Sequence, residues 1–234
     1  MKEVVKLLAL SIMAIAAGTA MAEPGKWYVG AGAGQSMYND WPSKGDISNV
    51  MDEFGSRLGI VRFDGEQSAG SEDTDLGYKV FGGYSLHKYI ALELAYLNMG
   101  EADADARKSG TFYDLIDNSL DGDLFINAKA EVEAFTLDVN LNYPILSFAA
   151  VIAKVGMYSA DTKLKINAGS SISAENFNHS KTEGSTGLHY GFGFNFTLTD
   201  AIALRTEWER LEEVGANDGE ADVDLLSAAL IYNF

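Results

Sequence analysis

Residues 135–143 read FTLDVNLNY, in which Phe135, Leu137, Val139, Leu141 and Tyr143 alternate without a break with Thr136, Asp138, Asn140 and Asn142. A period of two marks a β-strand with one apolar and one polar face. The stretch belongs to a segment at 131–143, and seven others share its pattern, at 27–36, 75–84, 89–99, 149–160, 187–198, 201–210 and 222–234. Pro24, Pro42 and Pro144 all fall outside strand interiors, as an unbroken ladder requires. Such strands suit a soluble sandwich with the apolar face inward, or a membrane barrel with the apolar face outward.

The connections favour the barrel. Those at 85–88, 144–148 and 199–200 are short, whereas those at 37–74, 100–130, 161–186 and 211–221 are long. An even number of strands, each near ten residues, with every long connection at one end, is the pattern of an outer-membrane barrel. The first long connection also places Ile47, Val50, Met51, Phe54 and Leu58 at helical spacing, which predicts a helix near 46–58 that caps the barrel mouth.

Export is legible at the N-terminus. Lys2 and Lys6 precede an apolar run at 7–17 and an A-x-A site at Ala20-Met21-Ala22. Residues 1–22 read as a cleaved secretory signal peptide, and 23–234 as the mature domain. Beyond them no apolar run reaches the ~20 residues of a spanning helix, so membrane insertion requires a closed barrel. The chain has no cysteine, which excludes disulfides and thiolate metal sites. Its net charge of −17 argues against nucleic acid as a partner.

The two faces differ in kind. In 187–198 one face carries Leu188, Tyr190, Phe192, Phe194, Phe196 and Leu198, and the other His189, Gly191, Gly193, Asn195 and Thr197. A solvated outer face is ordinarily rich in Lys, Glu and Thr, not glycine. Gly30, Gly32, Gly34, Gly77, Gly83, Gly191 and Gly193 suit the cramped interior of an eight-stranded barrel. The expected fold is therefore all-β: an eight-stranded antiparallel up-and-down transmembrane β-barrel whose apolar face meets lipid. A soluble lipocalin-like carrier is the fold-level alternative.

The blocks WYVGAGAG at 27–34, GYKVFGGY at 77–84, YIALELAYLNMG at 89–100, NYPI at 142–145, SADT at 159–162 and AIALRTEWE at 201–209, with the terminal Phe234, follow in order along the chain. Together they resemble the transmembrane domain of the outer membrane protein A (OmpA)-like family. The resemblance implies an eight-stranded barrel with an interior ion-pair cluster. Glu93 and Arg205 fall at its cluster positions, while Asn140 and Asn195 stand where relatives often have a Lys and a Glu. Many members carry a peptidoglycan-binding domain after the barrel, an activity not carried over to this chain.

Parity and height locate a cluster without the family. Lys79, Glu93, Asp138, Lys154, Arg205 and Glu207 share the inward parity at similar heights above the short turns, which predicts one charged layer across the lumen. Charges in a narrow, low-dielectric interior must pair. Such a layer serves as a structural plug or as the gate of a small pore. Trp27, Tyr84, Tyr96, Tyr143, Trp208, Tyr232 and Phe234 are the expected lipid-interface aromatics.

Other motifs carry less. GAGAG at 30–34 lacks the last glycine and the helix of a dinucleotide fingerprint. Asp117, Ser119, Asp121 and Gly122 begin like a calcium loop, but its twelfth position is Ala128, which leaves a solvated acidic turn. His87, His179 and His189 are scattered, and no nucleophile, base and orienting acid come together. The chain is expected to be a monomeric, non-enzymatic outer-membrane protein of a Gram-negative envelope, without cofactor or metal. Its role is mainly structural, with long acidic extracellular loops and periplasmic termini; a low-conductance pore, a surface adhesin and a lipid-modifying barrel enzyme are the alternatives. The expected partners are outer-membrane lipid and lipopolysaccharide, approached by the loops through divalent cations, and the barrel-insertion machinery, through the C-terminal strand.

Overall fold

A computed structural model describes residues 25–116, 118–172, 176–215 and 220–234. The expected signal peptide at 1–22 lies outside the described residues. In chain order the elements are β1 (Trp27–Tyr38), α1 (Lys44–Arg57), β2 (Arg62–Glu72), β3 (Thr74–His87), β4 (Ile90–Tyr113), β5 (Ser119–Pro144), β6 (Ala149–Ser170), β7 (Asn176–Thr197), β8 (Ile202–Val214) and β9 (Ala221–Asn233). Antiparallel pairing runs β1–β3–β4–β5–β6–β7–β8–β9 and returns to β1, closing a ring of 8 strands. Closure leaves no unpaired backbone edge within the ring, the condition for crossing lipid with strands.

Outside the ring the structure departs from the expected loops. β4, β5, β6 and β7 run for 24, 26, 22 and 22 residues, so much of 100–130 and 161–186 is strand. The alternation there is faint where its buried members are alanines. Ala102, Ala104 and Ala106 face inward between Glu101, Asp103 and Asp105, and alanine contributes little to an apolar pattern. β2 pairs with the outer half of β4, from Arg62↔Tyr113 to Glu72↔Asp103, and continues the line of β3.

A bulge between Asn98 and Glu101 keeps the inward face of β4 inward. Below it the odd residues Glu93, Ala95, Leu97 and Met99 are buried; above it the even ones are. Gly100 takes φ +69 there, and a Cβ would press on the Asp75 carboxylate, which accepts the Glu101 amide at 2.8 Å. Glycine meets both demands of the bulge.

The predicted helix is present as α1. Ser43 and Asp46 form a reciprocal capping box at its start. Ile47 and Met51 are buried against Ala104, Ala106, Phe112, Leu124, Ile126 and Ala168. These are inward-parity residues of the extended strands, so α1 packs on the inner face of β2, β4 and β5 beyond the mouth of the ring.

Outside the ring, Val29, Leu92, Leu94, Phe135, Leu137, Val139, Leu141, Val155, Met157, Phe192, Phe194, Leu226 and Leu230 are exposed. This belt is far more than the scattered apolar residues of a soluble surface. At the short-turn end Trp27 packs on Tyr84 at 4.9 Å between ring centroids, and Tyr232 on Phe234 at 5.2 Å. Toward the other end Tyr96 lies 5.2 Å from Phe135, and Trp208 lies 5.2 Å from Phe192.

Candidate functional site

The site is the interior of the ring, built by inward residues from seven of its strands. Arg205 on β8 donates from Nη1 to Glu93 Oε2 on β4 at 2.8 Å, and from Nε to Asn195 Oδ1 on β7 at 3.0 Å. Tyr28 on β1 donates its hydroxyl to the same Glu93 oxygen at 2.8 Å. Lys79 on β3 lies 2.5 Å from Glu207 Oε2 and 2.7 Å from Glu209 Oε2. Lys154 on β6 lies 3.1 Å from Glu207 Oε1 and also contacts Glu209. Asp138 on β5 takes His189 Nδ1 at 2.8 Å and the Thr136 hydroxyl at 2.8 Å.

All of these ionised side chains are buried. Desolvating so many charges is costly, and only mutual pairing and hydrogen bonding offset it. The Arg205 guanidinium also lies 4.8 Å from the centroid of the Phe81 ring, a further partner for a cation cut off from water.

On the long-hairpin side of the charges lies an apolar tier. Tyr38, Leu97, Met99, Val132, Tyr158, Leu211, Val214, Val223 and Leu225 form one buried cluster. Tyr38 still satisfies its hydroxyl by donating to the Gly100 carbonyl at 2.8 Å, and Tyr158 donates to the Glu212 carbonyl at 2.7 Å. On the short-turn side a cavity of about 530 Å³ opens, and Tyr28, Asn140, Asn195 and Arg205 are among its lining residues. From one end to the other the interior is therefore vestibule, charged tier and apolar tier, with α1 packed against the strands beyond.

The residues matched by the family model described as the OmpA-like transmembrane domain are 22–234. The chain belongs to this family. Outer membrane protein A of Salmonella typhi is 26% identical over 215 residues, covering 89% of this chain and 48% of that protein. Outer membrane protein A of Shigella flexneri is 25% identical over the same shares. The chain thus spans about half the length of these curated relatives. Among solved structures, OprG from Pseudomonas aeruginosa aligns over 92% of this chain and 99% of its own, with 14% identity and a TM-score of 0.48. Ail of Yersinia pestis aligns over 91% and 100%, with 13% identity and a TM-score of 0.48.

In this OmpA-like barrel the six residues expected in a charged layer all lie inside the ring. Lys79, Glu93, Lys154, Arg205 and Glu207 form one connected set, while Asp138 turns to His189. Glu209, His189 and Tyr28 belong to the same tier, although the predicted layer does not include them. Their signal was available, since Glu209 and His189 share the inward parity of their strands and Tyr28 that of Gly30 and Gly32. The apolar tier carries the same signal, since Leu97 and Leu211 share the inward parity of Glu93 and Glu207; the parity is reset past the bulges at Asn98/Glu101 and Leu211/Val214, as at Val214.

The expected interface aromatics point out of the ring. Trp27, Tyr143, Tyr232 and Phe234 are exposed, and Tyr84, Tyr96 and Trp208 are half-buried by their neighbours. Of the calcium-loop candidates, Asp117 lies outside the described residues, and Asp121 accepts the Thr111 hydroxyl at 2.6 Å. Asp138 and His189 pair as an acid and a base would, but His189 Nε2 faces Glu209 Oε1 at 3.9 Å rather than a nucleophilic hydroxyl. Among the described residues no group of His, Asp and Glu is arranged to hold a metal ion.

Proposed function

We propose that this integral outer-membrane β-barrel serves as a non-conducting structural element of the envelope, with its long hairpins outside the cell and its termini in the periplasm. The observation that carries this reading is the stacking of two buried tiers in one lumen. A charged tier alone suits a plug or a gate, because ion pairs exchange partners. In the apolar tier behind it the hydroxyls of Tyr38 and Tyr158 are committed to backbone carbonyls, and the tier is packed through Leu97, Met99, Leu211 and Leu225 without accessible surface. Moving one residue of that tier exposes others to a void, at a cost of order ~1 kcal/mol per methyl-sized gap.

The apolar belt would sit in the hydrocarbon, with aromatics at both of its rims. Carboxylates and lysines on the outer face of the extended strands, such as Glu101, Asp103 and Lys129, would then meet lipopolysaccharide headgroups, with divalent cations bridging like charges. β9, with Tyr232 near its end and Phe234 directly after it, is the segment offered to the insertion machinery, and the barrel acts as a monomer within its own membrane.

Planar-bilayer recording on the detergent-folded protein tests this reading. Heat-modifiable gel migration must first establish that the barrel is folded. No discrete conductance steps are expected. Steps that persist in folded, purified protein would replace the structural reading with a pore, and a lipid A mass altered on overexpression would replace it with an enzyme.

A further inference from the structure

The vestibule on the short-turn side carries polar groups that the fold leaves unused. Asn140 and Asn142 on β5 line it, and each holds a buried carboxamide oxygen with no hydrogen-bond partner among the described residues. Asn140 is 3% exposed, and its Nδ2 reaches the Tyr28 hydroxyl only at 3.5 Å. A buried acceptor left unpaired is costly, and two on one wall call for a donor from outside the chain. Rotation about χ2 of an asparagine is soft and turns such an oxygen toward the vestibule.

The rest of the wall selects the kind of donor. Its neutral polar residues are Ser85, Asn140, Asn142, Asn195, Thr197 and Asn233. Its basic groups are already engaged. Arg205 holds Glu93 and Asn195, Lys88 lies 4.6 Å from the centroid of the Tyr89 ring, and Lys26 has a partner. A cation would meet these three groups, and an anion would meet Asp200 and the two carboxamide oxygens. Hydroxyls meet neither obstacle, because each both donates and accepts. Between the polar groups the wall is apolar, with Tyr28, Ala91, Ile152, Ala203 and Ile231. A wall mixed in this way suits a ligand with hydroxyl edges and C–H faces. Its volume of about 530 Å³ falls within the ~300–1,000 Å³ of small-molecule sites.

We propose that the vestibule is a binding site for a neutral pyranose sugar, free or at the end of a glycan, whose hydroxyls donate to Asn140 and Asn142. The Arg205–Glu93 bridge lies behind the site, so the sugar enters and leaves by the same mouth. Binding there requires no passage through the lumen.

The test uses the barrel folded in lauryl dimethylamine oxide micelles, a detergent without a sugar headgroup, with folding verified by heat-modifiable migration. The side-chain carboxamide resonances of Asn140 and Asn142 are followed by NMR during titration with glucose, a soluble N-acetylglucosamine tetramer, inorganic phosphate or glycine. A sugar should shift both sets of resonances saturably at millimolar concentration, and the tighter of the two sugars distinguishes a free ligand from a chain end. Phosphate and glycine should leave the resonances in place. Asn140→Leu and Asn142→Leu should each weaken sugar binding by about tenfold or more. Resonances that neither sugar moves would overturn the proposal in favour of a vestibule filled by water. Equal shifts with phosphate or glycine would overturn it in favour of a site read by charge, and folded variants that bind like wild type would overturn it too. The titrations of wild-type protein decide the matter by themselves if a variant does not fold.

Discussion

Arg205 and Glu93 join diametrically opposite strands: β8 and β4 lie four places apart in the ring, and their side chains meet at 2.8 Å across the lumen. The bore is thus spanned by one arginine and one glutamate. This is the physical content of an eight-stranded barrel being just wide enough for side chains to fill. Tyr28, Lys79 and Lys154 pack around that bridge and leave no charged group of the tier exposed.

Breaking the bridge from one side should be costly. Glu93→Gln leaves the Arg205 guanidinium buried with only amide and hydroxyl acceptors, and removal of one member of a buried pair typically costs about 3–5 kcal/mol. Urea unfolding in detergent, read by gel mobility, should show that loss. The double variant with Arg205→Leu should lose less than the two single losses combined, since neither charge then remains unpaired.

Leu137 lies on the outer face at 60% exposure, between neighbours that point inward. In hydrocarbon an arginine there costs about 2–4 kcal/mol near the midplane. At an exposed site in water the same change stays within about 0.5 kcal/mol. Leu137→Arg should therefore slow and weaken folding into vesicles by the larger amount, measured as the folded fraction against urea. A neutral result would favour the soluble carrier fold.

Gly83 gives way to the ring of Tyr28. A Cβ at that position would lie inside the ring, whose hydroxyl donates to Glu93. Gly83→Ala should push Tyr28 aside and cost about 1–3 kcal/mol by overpacking. Gly83→Ala with Tyr28→Phe should lose little beyond Gly83→Ala alone, because the hydroxyl contact is already displaced.

Asp114 is fully outside the membrane belt, and its hydrogen bonds with Asn118 hold its carboxyl below the usual carboxylate range. A depressed value means that the ionised form is favoured by the ordered turn. The contribution is complete above the ordinary Asp value of ~3.9 and disappears as pH falls through the lower value of the turn. Amide shifts of Ile116 and Asn118 should titrate together in that acidic window. In Asp114→Asn they should not titrate with that midpoint.

Much of this molecule is legible in the chain because the information is local. Period-two alternation survives in every strand that crosses the belt, and the parity of Lys79, Glu93, Asp138, Lys154, Arg205 and Glu207 is enough to place them inside. Legibility fails where a local rule is interrupted. Gly100 starts a left-handed step that swaps inward odd residues for inward even ones, so Met99 and Ala102 belong to one face. From Ala102 to Ala106 alanines are the inward residues, and the pattern fades although the ladder continues to Tyr113.

By itself the sequence determined which segments are strands, which faces are apolar, and that the small and charged face is the inner one, since these depend on neighbours two residues apart. Only the tertiary structure decided who meets whom. Glu93 and Arg205 are separated by 112 positions, and their contact exists because the ring closes β9 on β1 with one register. The apolar tier beside the charges and the packing of α1 on the extended strands likewise follow from closure, which brings distant residues to one height in the same bore.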